Sequence, residues 1–201
     1  MRRALDIILS FAGLLALSPL MAVIALAVKV ADGGAVFFKQ ERIGMNFKPF
    51  TIYKFRTMED RPAAAPAVPL VTFKGDKRIT PAGAFLRRYK LDELPQLFNV
   101  LAGDMSLVGP RPEVRRYVDK FRDQYSKLLS VRPGITDPAS IAYSEEEQLI
   151  NQSGDSEGVY LASILPEKIR ISSQYLENRG VLKDIGLLFK TVFKSWRPKA
   201  G

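Results

Sequence analysis

Residues 7–28 form an apolar run interrupted only by Ser10, Gly13, Ser18 and Pro19, and no other feature limits the fold as strongly. Its 22 residues are enough for a membrane helix. Arg2 and Arg3 precede the run, and Lys29, Lys39 and Arg42 follow it. Basic residues tend to stay on the cytoplasmic side, and here both flanks are basic. A straight span satisfies only one flank. A re-entrant hairpin broken at Ser18-Pro19 satisfies both, each arm reaching ~15–18 Å into a hydrocarbon core some 30 Å thick. Backbone groups freed at such a break need partners, and the Ser18 hydroxyl can serve as one. The third reading is a cleaved signal with Ala25-Leu26-Ala27 as its peptidase site, for which the run is long.

Composition narrows the chemistry. The 201 residues are 47% hydrophobic, which suits one globular domain beside the apolar run. The net charge of +9 points to an anionic partner: a phosphorylated substrate, anionic lipid head groups or nucleic acid. There is no cysteine and no histidine. Disulfides, thiol nucleophiles, imidazole bases and Cys/His zinc sites are therefore excluded. Any chemistry falls to carboxylates, hydroxyls, lysines and arginines, and a metal would be a hard, oxygen-bound cation such as magnesium.

The segment Leu91-Asp92-Glu93-Leu94-Pro95-Gln96-Leu97-Phe98-Asn99-Val100-Leu101 is where such chemistry concentrates. Leu91, Leu94, Leu97, Phe98 and Leu101 recur at helical spacing and predict one apolar face. Pro95 has no amide to bond back to Leu91 and disfavours helical dihedrals at Leu94, so the backbone starts, stops or kinks here. With Asp92 as cap and Pro95 in the first turn, the carboxylate sits at the positive end of the helix dipole and stays ionised. Two readings follow: a nucleophile and metal site beside a helix start, or a capping aspartate next to a solvated glutamate.

The remaining chain reads as short elements. After Asp32-Gly33-Gly34, a turn signal, Val36 to Phe38 and Phe50 to Phe55 predict short strands, with Gln40-Glu41-Arg42-Ile43-Gly44 between them. Lys54 and Arg56 alternate with aromatics and so share a strand face, either solvated or turned to a substrate. Arg61 to Pro69 predicts a proline-rich loop. Thr80 and Pro81 predict the cap and first residue of a helix that carries Arg87, Arg88 and Lys90 straight into Asp92-Glu93. Those cations either make surface pairs or hold a pyrophosphate against the carboxylates. Pro110 and Pro112 fix the backbone around Arg111, which suits rigid recognition of a phosphate, although a plain structural turn reads the same way. Val114 to Leu129 predicts a helix, followed by the rigid turn Val131 to Pro138, Ala139 to Tyr143 and the acidic run Glu145-Glu146-Glu147. Leu161 to Arg179 and Val181 to Trp196 predict two more helices joined at Gly180 as a C-terminal cap. The last of these is amphipathic and basic, fit for a core-facing position or an anionic membrane surface.

Taken in order, these motifs resemble the small monotopic phosphoglycosyltransferases, bacterial sugar transferases that initiate glycan assembly on a polyprenyl phosphate. The pieces that carry the resemblance begin with Ser18-Pro19, Phe38 to Gly44, Tyr53 to Met58 and Asp76 to Thr80. They continue with Leu86-Arg87-Arg88, Leu91 to Leu97, Gly103 to Pro112 and Val131 to Thr136. It covers residues 1 to about 136, and the C-terminal helices less distinctively. A lone Asp-Glu is weak; the ordered set is specific.

The resemblance implies an α/β but mostly helical fold. A re-entrant membrane helix-hairpin spans residues 1–31. Residues 32–201 make a compact cytoplasmic catalytic domain with a small β element and interfacial amphipathic helices. It implies a bacterial inner-membrane location with the catalytic domain on the cytoplasmic face. It implies a two-step transfer in which Asp92 attacks the β-phosphate of a UDP-sugar, releases UMP and passes the phosphosugar to polyprenyl (undecaprenyl) phosphate. Glu93 accompanies Asp92 at a magnesium site, and Arg87, Arg111 and Lys54 bind substrate phosphate. Membrane lipids, and in some cases a second copy of the chain as a homodimer, complete the partners. Larger family members carry a further N-terminal multi-span region, for which this chain has no room.

One stretch departs from the family pattern. After Gly134-Ile135-Thr136 many relatives continue with Gly and a Gln-Val-Asn-Gly-Arg-like sequence, where this chain has Asp137-Pro138-Ala139-Ser140-Ile141-Ala142-Tyr143. Glu145 to Glu147 are then candidates for shaping a different sugar pocket. Two other readings stay open at the level of sequence: a non-catalytic membrane-anchored module that binds anionic lipid or nucleic acid, and a hydrolase with water as final acceptor. Nothing in the chain resembles a nucleic-acid motif, and its aromatics do not interleave with cations over a long platform.

Overall fold

The computed structural model describes residues 2–59, 72–73, 75–150 and 155–196. The apolar run folds as a single helix, α1 (Arg2–Asp32), with Pro19 inside it. Helix is maintained through Ser18-Pro19, so the expected hairpin is not seen as two separate helices. Pro19 withdraws only the amide that would bond to the Leu15 carbonyl. The Ser18 hydroxyl donates to that same carbonyl at 2.9 Å, so the freed acceptor is satisfied and helical geometry persists.

Both ends of α1 are tied to the rest of the chain. In its first turns Arg2 pairs with Asp184 at 3.1 Å, and Arg3 donates to the Val100 and Leu101 carbonyls at 2.6 and 3.1 Å. Buried Asp6 accepts the Ser106 hydroxyl at 2.8 Å and the Leu107 amide at 3.1 Å. Towards the other end Met21, Ile24 and Val28 are buried against Phe55 and Leu86. The outer face stays bare, with Ile8, Phe11, Leu15, Val23, Leu26 and Val30 between 61% and 75% exposed.

The expected strands form an antiparallel hairpin, β1 (Phe37–Ile43) and β2 (Pro49–Phe55), with Lys54 opposite Phe38. Residues 40–43, read as a connection, belong to β1. Helix α2 (Pro81–Arg88) begins as predicted, Thr80 accepting the Gly83 amide at 2.9 Å. It does not run into Asp92-Glu93. Lys90 takes a left-handed φ of 59° and opens a 3-10 turn, Leu91–Glu93, before α3 (Gln96–Ala102). The proline-rich loop expected at Arg61 to Pro69 lies outside the described residues.

A second, parallel pair joins β3 (Ser106–Val108) to β4 (Gly134–Thr136). Residues 114–129 make two helices instead of one, α4 (Arg115–Lys120) and α5 (Arg122–Leu128). The break falls at Phe121, where φ is −120° and ψ 35°, and its ring packs on the core of Tyr117, Tyr125 and Leu128. Then follow α6 (Pro138–Ala142), α7 (Glu146–Ile150), α8 (Ser156–Val159), α9 (Leu165–Glu177) and α10 (Val181–Trp196). Gly180 does not cap α9, whose C-cap is Asn178; the Gly180 carbonyl accepts the Asp184 amide at the start of α10. The described residues are mostly helical, with two small sheets among them. Helix α10 seats one face on β4, Thr191 bonding Thr136 at 2.7 Å. It leaves Leu182, Phe189, Phe193 and Trp196 exposed.

Candidate active site

The site begins with how α3 is fixed. Asn99, almost fully buried, accepts the Tyr53 amide at 3.1 Å and donates to the Thr51 carbonyl at 2.7 Å. A side-chain amide that mimics a strand neighbour holds α3 along β2. The turn Leu91–Glu93 is thereby placed beside the end of β2, where Lys54 projects. Lys54 Nζ reaches Glu93 Oε1 at 2.9 Å.

Arg111 arrives from the other side on the loop between Pro110 and Pro112. Gly109 and Gly134 lie back to back; a Cβ on Gly134 would stand 2.0 Å from the Gly109 nitrogen. That close approach lets the Gly134 amide donate to the Pro110 carbonyl at 2.9 Å and the Gly109 amide to the Thr136 carbonyl at 3.0 Å. On the far side Arg42 of β1 donates to the Pro112 carbonyl at 3.2 Å and to Glu113 Oε2 at 3.1 Å. The Tyr160 hydroxyl donates to Glu113 Oε1 at 2.7 Å. Held on both flanks, Arg111 donates to Glu93 Oε1 at 2.6 Å.

Glu93 therefore accepts from two cations on one oxygen, and neither of those hydrogen bonds goes to Asp92. Both carboxylates are buried. Asp92 Oδ1 has no hydrogen-bond partner among the described residues. Their titrations are pushed apart. Burial and the charge of Glu93 raise the Asp92 carboxyl, with Lys54, Lys90 and Arg87 opposing. Burial would raise Glu93 too, but Arg111, Lys54 and Lys90 outweigh it and hold that carboxyl well below its usual range. Burial also lowers the Lys54 ammonium, against the pull of Glu93. The expectation that a helix dipole keeps Asp92 ionised is corrected here. Asp92 sits in the 3-10 turn and Pro95, not Asp92, precedes α3.

The sequence-predicted residues thus divide. Asp92, Glu93, Lys54 and Arg111 meet directly. Arg87, on α2, lies near enough for its charge to be felt at Asp92, and it is ion-paired with Glu147. Ser18 and Pro19 lie inside α1. Sequence reading passed over Asn99, Glu113 and Tyr160. Of these only Glu113 carried a signal, as the residue directly after the Pro-Arg-Pro turn.

The donor set suits a hard cation. Two adjacent carboxylates, one with a buried, unpartnered oxygen, match magnesium, which is commonly held by one or two carboxylates together with substrate phosphates. Among the described residues no third acidic side chain joins them, so phosphate oxygens would complete the coordination. The arrangement brings two buried carboxylates together with fixed cations beside a long apolar helix, a combination of charges that could meet a phosphate ester. The chain belongs to the bacterial sugar transferase family, whose description fits residues 1–198.

Among its relatives, a UDP-glucose:undecaprenyl-phosphate glucose-1-phosphate transferase of Escherichia coli (strain K12) is 37% identical, over 100% of this chain and 41% of its own length. A UDP-N-acetylgalactosamine-undecaprenyl-phosphate N-acetylgalactosaminephosphotransferase of Aeromonas hydrophila is 35% identical, over 95% of this chain and 42% of its own. The exopolysaccharide production protein ExoY of Sinorhizobium fredii (strain NBRC 101917 / NGR234) is 32% identical, over 95% and 83%. The chain spans less than half the length of the first two.

Proposed function

We propose that this protein transfers a sugar-1-phosphate from a UDP-sugar to polyprenyl phosphate and releases UMP, through a covalent phosphosugar on Asp92. The observation that supports this most is the unequal treatment of the two carboxylates. Glu93 is bound by Arg111 and Lys54, and Asp92 keeps a buried oxygen without a partner. In the first step an Asp92 oxygen attacks the β-phosphorus. The bond from that phosphorus to the bridging oxygen breaks, and the oxygen leaves as part of UMP. In the second step an oxygen of polyprenyl phosphate attacks the same phosphorus, and the Asp92 carboxylate is released.

Arg111, Lys54 and Arg87 bring positive charge to the transferring phosphoryl group, whose chemistry is mainly positioning and charge neutralisation. Magnesium, held by Asp92 and Glu93 when bound, supplies further neutralisation of the diphosphate. Glu93, kept ionised by its two cations, orients them and needs no proton change. Burial of the turn limits access of water to the phosphosugar ester, which favours transfer over hydrolysis.

The geometry of α1 supports our reading of the membrane placement. A helix of 31 residues is about 46 Å long, more than the ~30 Å hydrocarbon core. A perpendicular span would carry Arg2, Arg3 and Asp6 across the bilayer, yet these residues bond α10, α3 and β3. We therefore place α1 re-entrant in the cytoplasmic leaflet of the bacterial inner membrane. A bend at Pro19, its weakest point, would keep both ends on one side and turn its bare face to lipid. The exposed apolar face of α10 rests at the same surface, with lysines to meet anionic head groups. The site then lies where a soluble UDP-sugar and a lipid phosphate can both reach it.

The test is a panel of radiolabelled UDP-sugars with and without polyprenyl phosphate. Transfer predicts UMP and a lipid-linked product only with acceptor present. Free sugar phosphate without acceptor would mean a hydrolase, and no turnover across the panel would mean a binding module.

A further inference from the structure

The segment 137–150, where the sequence leaves the family pattern, is anchored on α9 at two points. Asp137 caps α6 by accepting the Ser140 amide at 2.8 Å and accepts the Ser172 hydroxyl at 2.5 Å. Glu146, at the start of α7, accepts from buried Lys168 at 2.8 Å. The next residue, Glu147, is thereby brought to Arg87 of α2, 60 positions away in sequence. The two form an ion pair with side chains 25% and 41% exposed. The Arg87 carbonyl accepts the amide of Lys90, the residue that opens the Leu91–Glu93 turn, at 3.2 Å, so the pair is carried on the turn directly before Asp92.

A guanidinium makes the same charge-assisted hydrogen bonds to a carboxylate as to a phosphate. A phosphate offers more charge and more oxygens. A carboxylate in a half-exposed pair gains little from its partner, so it yields readily to a better anion. We propose that Glu147 is an anion placeholder: its carboxylate occupies Arg87 until the diphosphate of the donor displaces it, and so sets the affinity of the site for diphosphate ligands. This rests on the reading of Arg87 as a donor-phosphate contact. Glu147 compensates the Arg87 charge in the free protein, and the exchange weakens diphosphate binding by the strength of the pair. A ligand without phosphate does not compete for Arg87 and is indifferent to Glu147.

The experiment measures binding of UDP and of uridine by calorimetry to the full chain in detergent micelles, at one ionic strength. Glu147→Gln should tighten UDP about two- to fivefold, the range that an ion pair of this exposure commands, and leave uridine unchanged. Arg87→Gln should weaken UDP, and adding Glu147→Gln to it should have no further effect. If Arg87→Gln weakens UDP but Glu147→Gln leaves it unchanged or weaker, the placeholder is refuted while the Arg87 reading stands. If uridine tightens as much as UDP, the effect is not anion exchange and the proposal fails. UDP binding that ignores Arg87→Gln removes Arg87 from the phosphate site, and the placeholder with it.

Discussion

Replacing Arg111 with glutamine should destabilise the metal-free fold by about 2–3 kcal/mol at neutral pH, and the loss should shrink in acid. Glu93 Oε1 accepts from Arg111 at 2.6 Å and from Lys54 at 2.9 Å, and the Glu93 side chain is only 9% exposed. Removing one partner of a buried pair commonly costs about 3–5 kcal/mol, because the remaining charge is left uncompensated. Two features lower the figure. Lys54 stays in place, and the Arg111 side chain is 28% exposed, so water screens part of its charge. The sign of the pH dependence follows from Glu93, whose carboxyl is held well below its ordinary range. A depressed carboxyl stabilises the fold above its unfolded value, and that contribution is lost as pH falls through the folded value. Arg111→Gln raises the folded value, so parent and variant should differ at neutral pH and converge below the ordinary glutamate range. Unfolding by urea in one detergent with EDTA, followed by far-ultraviolet circular dichroism from about pH 3 to 8, reads this directly. Equal stability at neutral pH, or a gap that widens in acid, would refute the electrostatic reasoning.

Other residues give sharp expectations. Because the chain has no cysteine, Ala4→Cys and Lys120→Cys report topology: an impermeant thiol reagent on intact cells should label neither. Adding Ser18→Leu with Pro19→Leu removes the helix weak point and should expose position 4 in part of the population; labelling of position 4 in the parent would contradict a re-entrant α1. Arg42→Gln removes the grip on the Pro112 carbonyl and Glu113, so kcat/KM should fall about tenfold or more through misplacement of Arg111. Exposed Arg116→Gln should leave it unchanged, and equal effects of the two would make Arg42 a general stability residue.

Local chemistry was legible in the sequence wherever it is decided within a few residues. Thr80 and Pro81 start α2 because a cap and a fixed φ act on the next turn. Ser18 serves the Leu15 carbonyl because the acceptor freed by Pro19 lies three residues before that hydroxyl. Contacts between distant elements were not readable from the residues alone. Lys54 meets Glu93 only because Asn99 docks α3 on β2, and nothing in the pattern around Asn99 separates it from an ordinary helix residue. Glu147 finds Arg87 through the anchoring of two helices on a third. Asp92 failed as a helix cap because Lys90 adopts a left-handed turn that moves the carboxylate out of the cap position. The Asp-Glu pair was recognisable as chemistry, and that Lys54 and Arg111 bond Glu93 and not Asp92 needed the fold.

The covalent step on Asp92 is tested most directly by trapping it. The protein is incubated with magnesium and a turned-over UDP-sugar in the absence of polyprenyl phosphate, quenched, digested and analysed by mass spectrometry. A phosphosugar mass on the peptide containing Asp92 is expected, with release of at most one equivalent of UMP. Asp92→Asn keeps size and polarity but removes the nucleophile, so it should show no adduct and lose several orders of magnitude in turnover. An Asp92→Asn variant with near-normal transfer, or UMP release that requires the acceptor and leaves Asp92 unmodified, would contradict the covalent mechanism.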